Sequence, residues 1–119
     1  MRTIKFRGKM VDNGQWVYGF YSSWKHFNGT SFEVMHAIES DETPKAIVHP
    51  ETVGQFTSLL DKDGKEIYEG DLLHRCYGVY WKVVFKNGRF IADSLNDSGL
   101  YLDFYQFGEA QIINNPELL

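Results

Sequence analysis

LLDKDGKEIYEGDLL, residues 59–73, gathers Asp61, Asp63, Glu66, Glu69 and Asp71 between two pairs of leucines. Carboxylates this dense could hold a cation or form an acid/base pair. A calcium loop of the EF-hand kind needs oxygen ligands at positions 1, 3 and 5, glycine at 6 and glutamate at 12. With Asp61 and Asp63 at positions 1 and 3, Gly64 falls at position 4 and Leu72 at position 12. The metal reading fails on spacing. Acid/base catalysis would need a cleft and a partner. On a hairpin turn these side chains would instead face water. Asp61, Asp63 and Gly64 therefore read as turn residues, the carboxylates bonding nearby backbone N–H groups. Gly70 supplies backbone freedom, and Asp71 anchors the bend that follows.

Other reactive sets do not converge. His26, His36, His49 and His74 are scattered, and Cys76 is single. His74 and Cys76 share one side of a strand, half of what a four-ligand structural zinc site wants; an ordinary paired position is the simpler reading. No local signature supports Cys–His chemistry, and a buried inert cysteine is the common case. No glycine-rich phosphate loop and no G-x-S-x-G elbow occur. The expectation is no catalytic residue, no metal, no cofactor and no enzyme.

What remains is surface chemistry. Lys5, Arg7 and Lys9 alternate along one strand face, near Trp16, Tyr18 and Trp24. Cations interleaved with aromatics can neutralise phosphates and stack on the bases of a single strand. The competing reading is that the three charges keep an edge strand from pairing. The net charge of −4 weighs against general nucleic acid binding. The basic start and the acidic 61–71 segment read either as two solvated faces or as a self-complementary contact between subunits.

The elements that position these residues are mostly strands. Thr3–Val11 alternates, Asp12-Asn13-Gly14 turns, and QWVYGFYSSW resumes the β pattern, so residues 1–24 predict a hairpin. A turn at Asn28-Gly29 leads to a strand around Ser31–Ile38. Residues 40–45 read as loop, Ala46–Val48 as a short strand, and His49–Gly54 as one helical turn with proline at its start. Gln55–Leu60 and Lys65–Tyr68 flank the acidic turn, and Leu72–Tyr77 follows. Val79–Phe85 and RFIAD are joined by Asn87-Gly88, the clearest two-residue hairpin loop in the chain. Residues 96–99 read as loop. Residues 100–107 fit a short helix or a strand. Ala110–Ile113 is a last strand and NNPELL a terminal turn.

The chain has 119 residues and 16% aromatics, which suits one β-rich domain. The expected architecture is all-β. An N-terminal β-hairpin lobe (1–48) precedes a small antiparallel barrel (49–119), with at most one or two short helical turns. The lone cysteine fits a reducing cytoplasm. No run approaches the roughly 18–20 apolar residues of a membrane span, and the N-terminus has no signal-peptide run.

At this point a family resemblance enters. IKFRGK (4–9), WVYG (16–19), HPETVGQFT (49–57), DKDGKEIYEGD (61–71), VVFKNGRF (83–90) and NNPELL (114–119) resemble the YopX family, whose members are small bacteriophage and prophage proteins of no assigned biochemical role. The resemblance spans nearly the whole chain, GKEIYEGD being its most specific block. It implies an all-β fold whose C-terminal half is a compact barrel of the Src-homology type, and it is compatible with oligomers. Where the family reads Thr-Gly-Leu-Lys, this chain has Thr57-Ser58-Leu59-Leu60. A usual Gly-Asn pair is replaced by Ala110-Gln111. Losing glycines predicts a different local backbone or repacked neighbours. The functional expectation is a non-enzymatic phage or prophage accessory protein that binds other proteins, forms homo-oligomers and works in the bacterial cytoplasm. Its partners would be itself and an unknown phage or host protein. The alternative is a single-stranded nucleic acid binder using Lys5, Arg7 and Lys9.

Overall fold

The structure, a computed structural model, describes residues 4–76, 79–96 and 99–113, with Cys76 described by its backbone alone. The expected NNPELL turn and Tyr77 lie outside the described residues. The chain forms two compact units, Met1–Gln55 and Phe56–Leu119. Strands dominate both, and every sheet pairing is antiparallel among the described residues.

The first unit holds β1 (Phe6–Lys9), β2 (Trp16–Phe27), β3 (Phe32–Glu39) and β4 (Ala46–Ile47), ordered β4-β3-β2-β1. The start of β5 (Gly54–Leu60) adds to β1 through Arg7↔Gly54 and Phe6↔Gln55. The N-terminal strand is shorter than the alternation predicts. It begins at Phe6, so Lys5 precedes the ladder. Pairing to β2 stops at Phe6↔Gly19. There Gly19 takes φ +155°, and a Cβ would sit 2.3 Å from the Glu39 carbonyl oxygen. Only glycine tolerates that approach.

The core of this unit is small: Ala37, Ile38, Ala46 and Val48. Gly8 lets Val48 close over β1, since a Cβ would meet the Val48 side chain at 3.1 Å. The predicted helical turn is a 3₁₀ turn, Pro50–Thr52. It is tied to β1 from both sides. The Lys9 N–H donates to Thr52 Oγ1 (2.8 Å), and the His49 N–H donates to the Lys9 carbonyl (2.9 Å).

The second unit contains β6 (Glu66–Tyr68), β7 (Leu72–Cys76), β8 (Val79–Lys86), β9 (Arg89–Ser94), β10 (Tyr101–Asp103) and β11 (Gln111–Ile113). Five of them form one sheet in the order β10-β9-β8-β7-β11. This curved sheet is a half-barrel, in the C-terminal half where a barrel was expected. Its core joins Ile67, Leu73, Trp81, Val83, Phe90, Ala92, Leu102, Phe107 and Ala110. Alternation explains the membership: Trp81 and Val83 point inward from β8 while Lys82 stays exposed. Asn87 (φ +54°) and Gly88 (φ +81°) close the β8–β9 hairpin in two residues, both at positive φ as such a loop requires.

The ambiguous 100–107 segment is partly strand and partly 3₁₀. β10 gives way at Asp103 to a 3₁₀ turn over Phe104–Glu109. Asp103 Oδ1 accepts from the Phe104 N–H, and Gln106 Oε1 accepts from the Asp103 N–H, both at 3.0 Å. This reciprocal capping starts the turn, which drops Phe107 into the core.

Candidate interaction surface

The acidic segment is architecture, and its leading residue differs from the sequence expectation. Asp61 does not face water: it is 5% exposed. Its Oδ1 accepts from the Asp63 and Lys65 N–H groups at 2.9 Å, and its Oδ2 accepts from the Ile112 N–H at 3.0 Å. The first two bonds shape the β5–β6 turn, with Gly64 at φ +82°. The third reaches 51 residues along the chain and clips β11 to the turn. Burial pushes the Asp61 carboxyl up, but the three backbone donors and the nearby Lys65 charge outweigh it, and its pKa lies below the ordinary value. Asp63 remains an exposed turn residue.

Asp71 is also buried, at 6% exposure. Its Oδ2 accepts from the Tyr68 N–H at 2.8 Å, while Gly70 at φ +95° makes the bend. Among the described residues, no three His, Cys, Asp or Glu side chains group as a metal site. The Cys76 side chain of the His74–Cys76 pair is outside the described set.

The basic–aromatic surface is brought together in part. Arg7 pairs across from Tyr18, and Lys9 across from Trp16, so these four side chains share one sheet face. The Arg7 guanidinium carbon lies 4.3 Å from the Trp16 ring centroid and Lys9 Nζ lies 5.2 Å from it. Both cations thus engage the indole that would otherwise be offered to a base. Lys5 is outside β1, and Trp24 is met by Lys45 Nζ at 4.7 Å instead.

An exposed apolar surface was not singled out from the sequence. Among the described residues, β1 covers β2 over Trp16–Gly19 alone, and β4 covers β3 at Ala37 and Ile38 alone. Beyond these, among the described residues, β2 and β3 pair with each other alone, up to Phe27↔Phe32. The result is a two-stranded arm whose residues 25–34 are all exposed. Asn28 builds its tip, where Oδ1 accepts from the Thr30 and Ser31 N–H groups at 3.0 Å. Phe27 (55% exposed), Phe32 (70%) and Val34 (55%) lie on one face of the ribbon, the two rings 5.1 Å apart. The sequence held no cue for it, because the alternation over Thr3–Val11 predicts a longer partner for β2 than the four residues of β1.

A concave feature belongs to the half-barrel. A groove of about 440 Å³ is lined by Lys86, Arg89, Asp93, Ser94 and Tyr101, among others. Arg89 is held at its rim by Asp103 (3.3 Å) and the Tyr101 hydroxyl (3.4 Å). With Arg89 neutralised by Asp103, the groove shows no cation cluster for an anion. No helix among the described residues is long and apolar enough to cross a membrane.

Comparison with known proteins agrees with the motif reading. A family model described as YopX protein matches residues 5–119. No curated protein matches the chain.

Proposed function

Because this chain belongs to the YopX family over nearly its whole length, we propose that it is a non-enzymatic phage or prophage accessory protein acting as a self-associating protein-interaction module. The observation that carries this reading is the β2–β3 arm. An isolated two-stranded ribbon is marginal in water. Here it nevertheless presents Phe27, Phe32 and Val34 together on one face. Clustered exposed apolar side chains of this kind mark contact surfaces. The arm supplies the contact. Light scattering on the full chain at tens of micromolar tests it. The expected result is an assembly larger than one 13.8 kDa chain, reduced to a monomer by Phe27→Ser with Phe32→Ser. A wild-type chain that stays monomeric throughout overturns self-association.

A second reading rests on the other surface. Arg7 and Lys9 share a face with Trp16, Tyr18 and Phe20, the last 66% exposed. Single-stranded nucleic acid could lie there, with Phe20 as the stacking platform. Fluorescence anisotropy with a labelled oligonucleotide would show affinity falling steeply with salt and with Arg7→Glu plus Lys9→Glu. Absent or salt-insensitive binding removes this reading.

A further inference from the structure

We propose that Asn87 is a site of spontaneous covalent modification, where the exposed side-chain amide converts to aspartate and isoaspartate through a cyclic imide closed by the Gly88 nitrogen. The proposal stands apart from the self-association reading. It rests on which of three like dipeptides the fold leaves unguarded.

Asn-Gly occurs at residues 13–14, 28–29 and 87–88, each time in an exposed loop. Glycine after asparagine leaves the attacking nitrogen without a Cβ beside it, so the dipeptide alone ranks the three alike. Their hydrogen bonds do not. Asn13 Oδ1 accepts from the Gln15 N–H at 2.9 Å, and the Gly14 N–H, which would have to attack, donates to the Met10 carbonyl at 2.9 Å. Asn28 Oδ1 accepts from the Thr30 and Ser31 N–H groups. Closing the imide would break these bonds. At position 87, neither the side-chain amide nor the Gly88 N–H has a hydrogen-bond partner among the described residues.

Charge ranks the sites the same way. The attacking species is the Gly88 nitrogen after its proton has passed to water or hydroxide, and a nearby cation favours that anion. Lys86 and Arg89 flank the loop and pair directly across the hairpin. Asp103 offsets Arg89 at 3.3 Å, which leaves Lys86 as the larger influence. Asn13 instead follows Asp12, whose carboxylate opposes the anion, and Asn28 follows the uncharged Phe27.

The Gly88 nitrogen forms a bond to Asn87 Cγ, the Cγ–Nδ2 bond breaks, and ammonia leaves. Water then opens the ring. Cleavage of the new bond to Cγ gives aspartate. Cleavage of the original bond to the Asn87 carbonyl carbon gives isoaspartate, with the main chain running through Cγ. Aspartate tolerates the φ +54° of position 87. It also adds a carboxylate between two cations that oppose each other across the strands. Isoaspartate lengthens the main chain of a two-residue loop whose geometry fixes the pairing of Lys86 with Arg89. Lys86, Asn87 and Arg89 all line the half-barrel groove, so either product adds negative charge to it.

The test ages the folded, full chain for weeks at neutral pH and body temperature, then maps its peptides by mass spectrometry. The mass gain of exchanging amide nitrogen for oxygen should build up at position 87 about fivefold faster or more than at 13 or 28, the margin set by one or two hydrogen bonds that need not break. Enzymatic methylation of isoaspartyl groups should label position 87 first. In urea, which releases those bonds, the three rates should draw together. Lys86→Glu should slow conversion at Asn87 by about threefold, the scale of an exposed charge interaction. Equal rates at the three sites in the folded chain, a faster rate at Asn13 or Asn28, or no conversion at all overturns the proposal.

Discussion

Two hairpins built by the same local rules meet different fates in this molecule. β8–β9 closes through Asn87-Gly88 and buries one face: Trp81, Val83, Phe90 and Ala92 lie in the half-barrel core. β2–β3 closes through an Asn28-Gly29 turn and, over residues 25–34, buries neither face. Turn chemistry and β-type residues are common to both. What differs is tertiary cover. A strand pair is stabilised mainly by what packs on it. The first hairpin finds its cover within its own unit. The second carries Phe27, Phe32 and Val34 out into solvent, and its sequence makes sense as a surface for another chain.

The contrast can be broken by mutation. Phe107 is fully buried beneath the half-barrel, so Phe107→Ala should cost about 3–5 kcal/mol in urea unfolding. Phe32→Ala should change stability by about 0.5 kcal/mol or less. Comparable losses at the two positions would mean that the arm is packed in solution and that the contrast is false.

Asp61→Asn comes next. It removes the charge and replaces one of two accepting oxygens, against three backbone donors. A loss of about 1.5–3 kcal/mol is expected, in line with bonds to a charged acceptor. The folded-state pKa lies below the ordinary 3.8, so the carboxylate's contribution is present in full above 3.8. It is lost as the pH falls through the lower folded value. Wild type should therefore lose stability on acidification in that window, and Asp61→Asn should show a flatter acid limb. Parallel profiles for the two proteins would remove the clip between the turn and β11.

The smallest effect concerns Ser58, a non-glycine residue at φ +70°. Its left-handed conformation accompanies the register shift in β5–β6 between Phe56 and Leu60. Ser58→Gly should relieve strain and stabilise the chain by about 1 kcal/mol. A destabilised variant would show that the serine side chain contributes more than its conformation costs.

These outcomes follow the line between what the sequence displays and what it hides. Turn chemistry is local, so Asn87-Gly88, Asp61–Gly64 and the Pro50 turn were legible from a few residues each. Alternation likewise marked β8 and β9. Long-range partners were not. Nothing near Asp61 indicates that its second oxygen meets Ile112, and so its burial was missed. Lys5 alternates with Arg7 and Lys9, yet the ladder to β2 begins at Phe6↔Gly19, one residue past it. Residues 100–107 carry both patterns because a capped 3₁₀ turn follows a three-residue strand. The arm was legible as strands but not as surface, because exposure depends on where β1 and β4 stop.

The central claim is that the β2–β3 arm is a contact surface between chains. Sedimentation of the full chain at tens of micromolar, with and without Phe27→Ser and Phe32→Ser, tests it most directly. The account predicts a wild-type mass above 13.8 kDa that falls to a single chain in the double variant, with the melting of the half-barrel unchanged. Equal masses for the two proteins, whether both assembled or both monomeric, would contradict it.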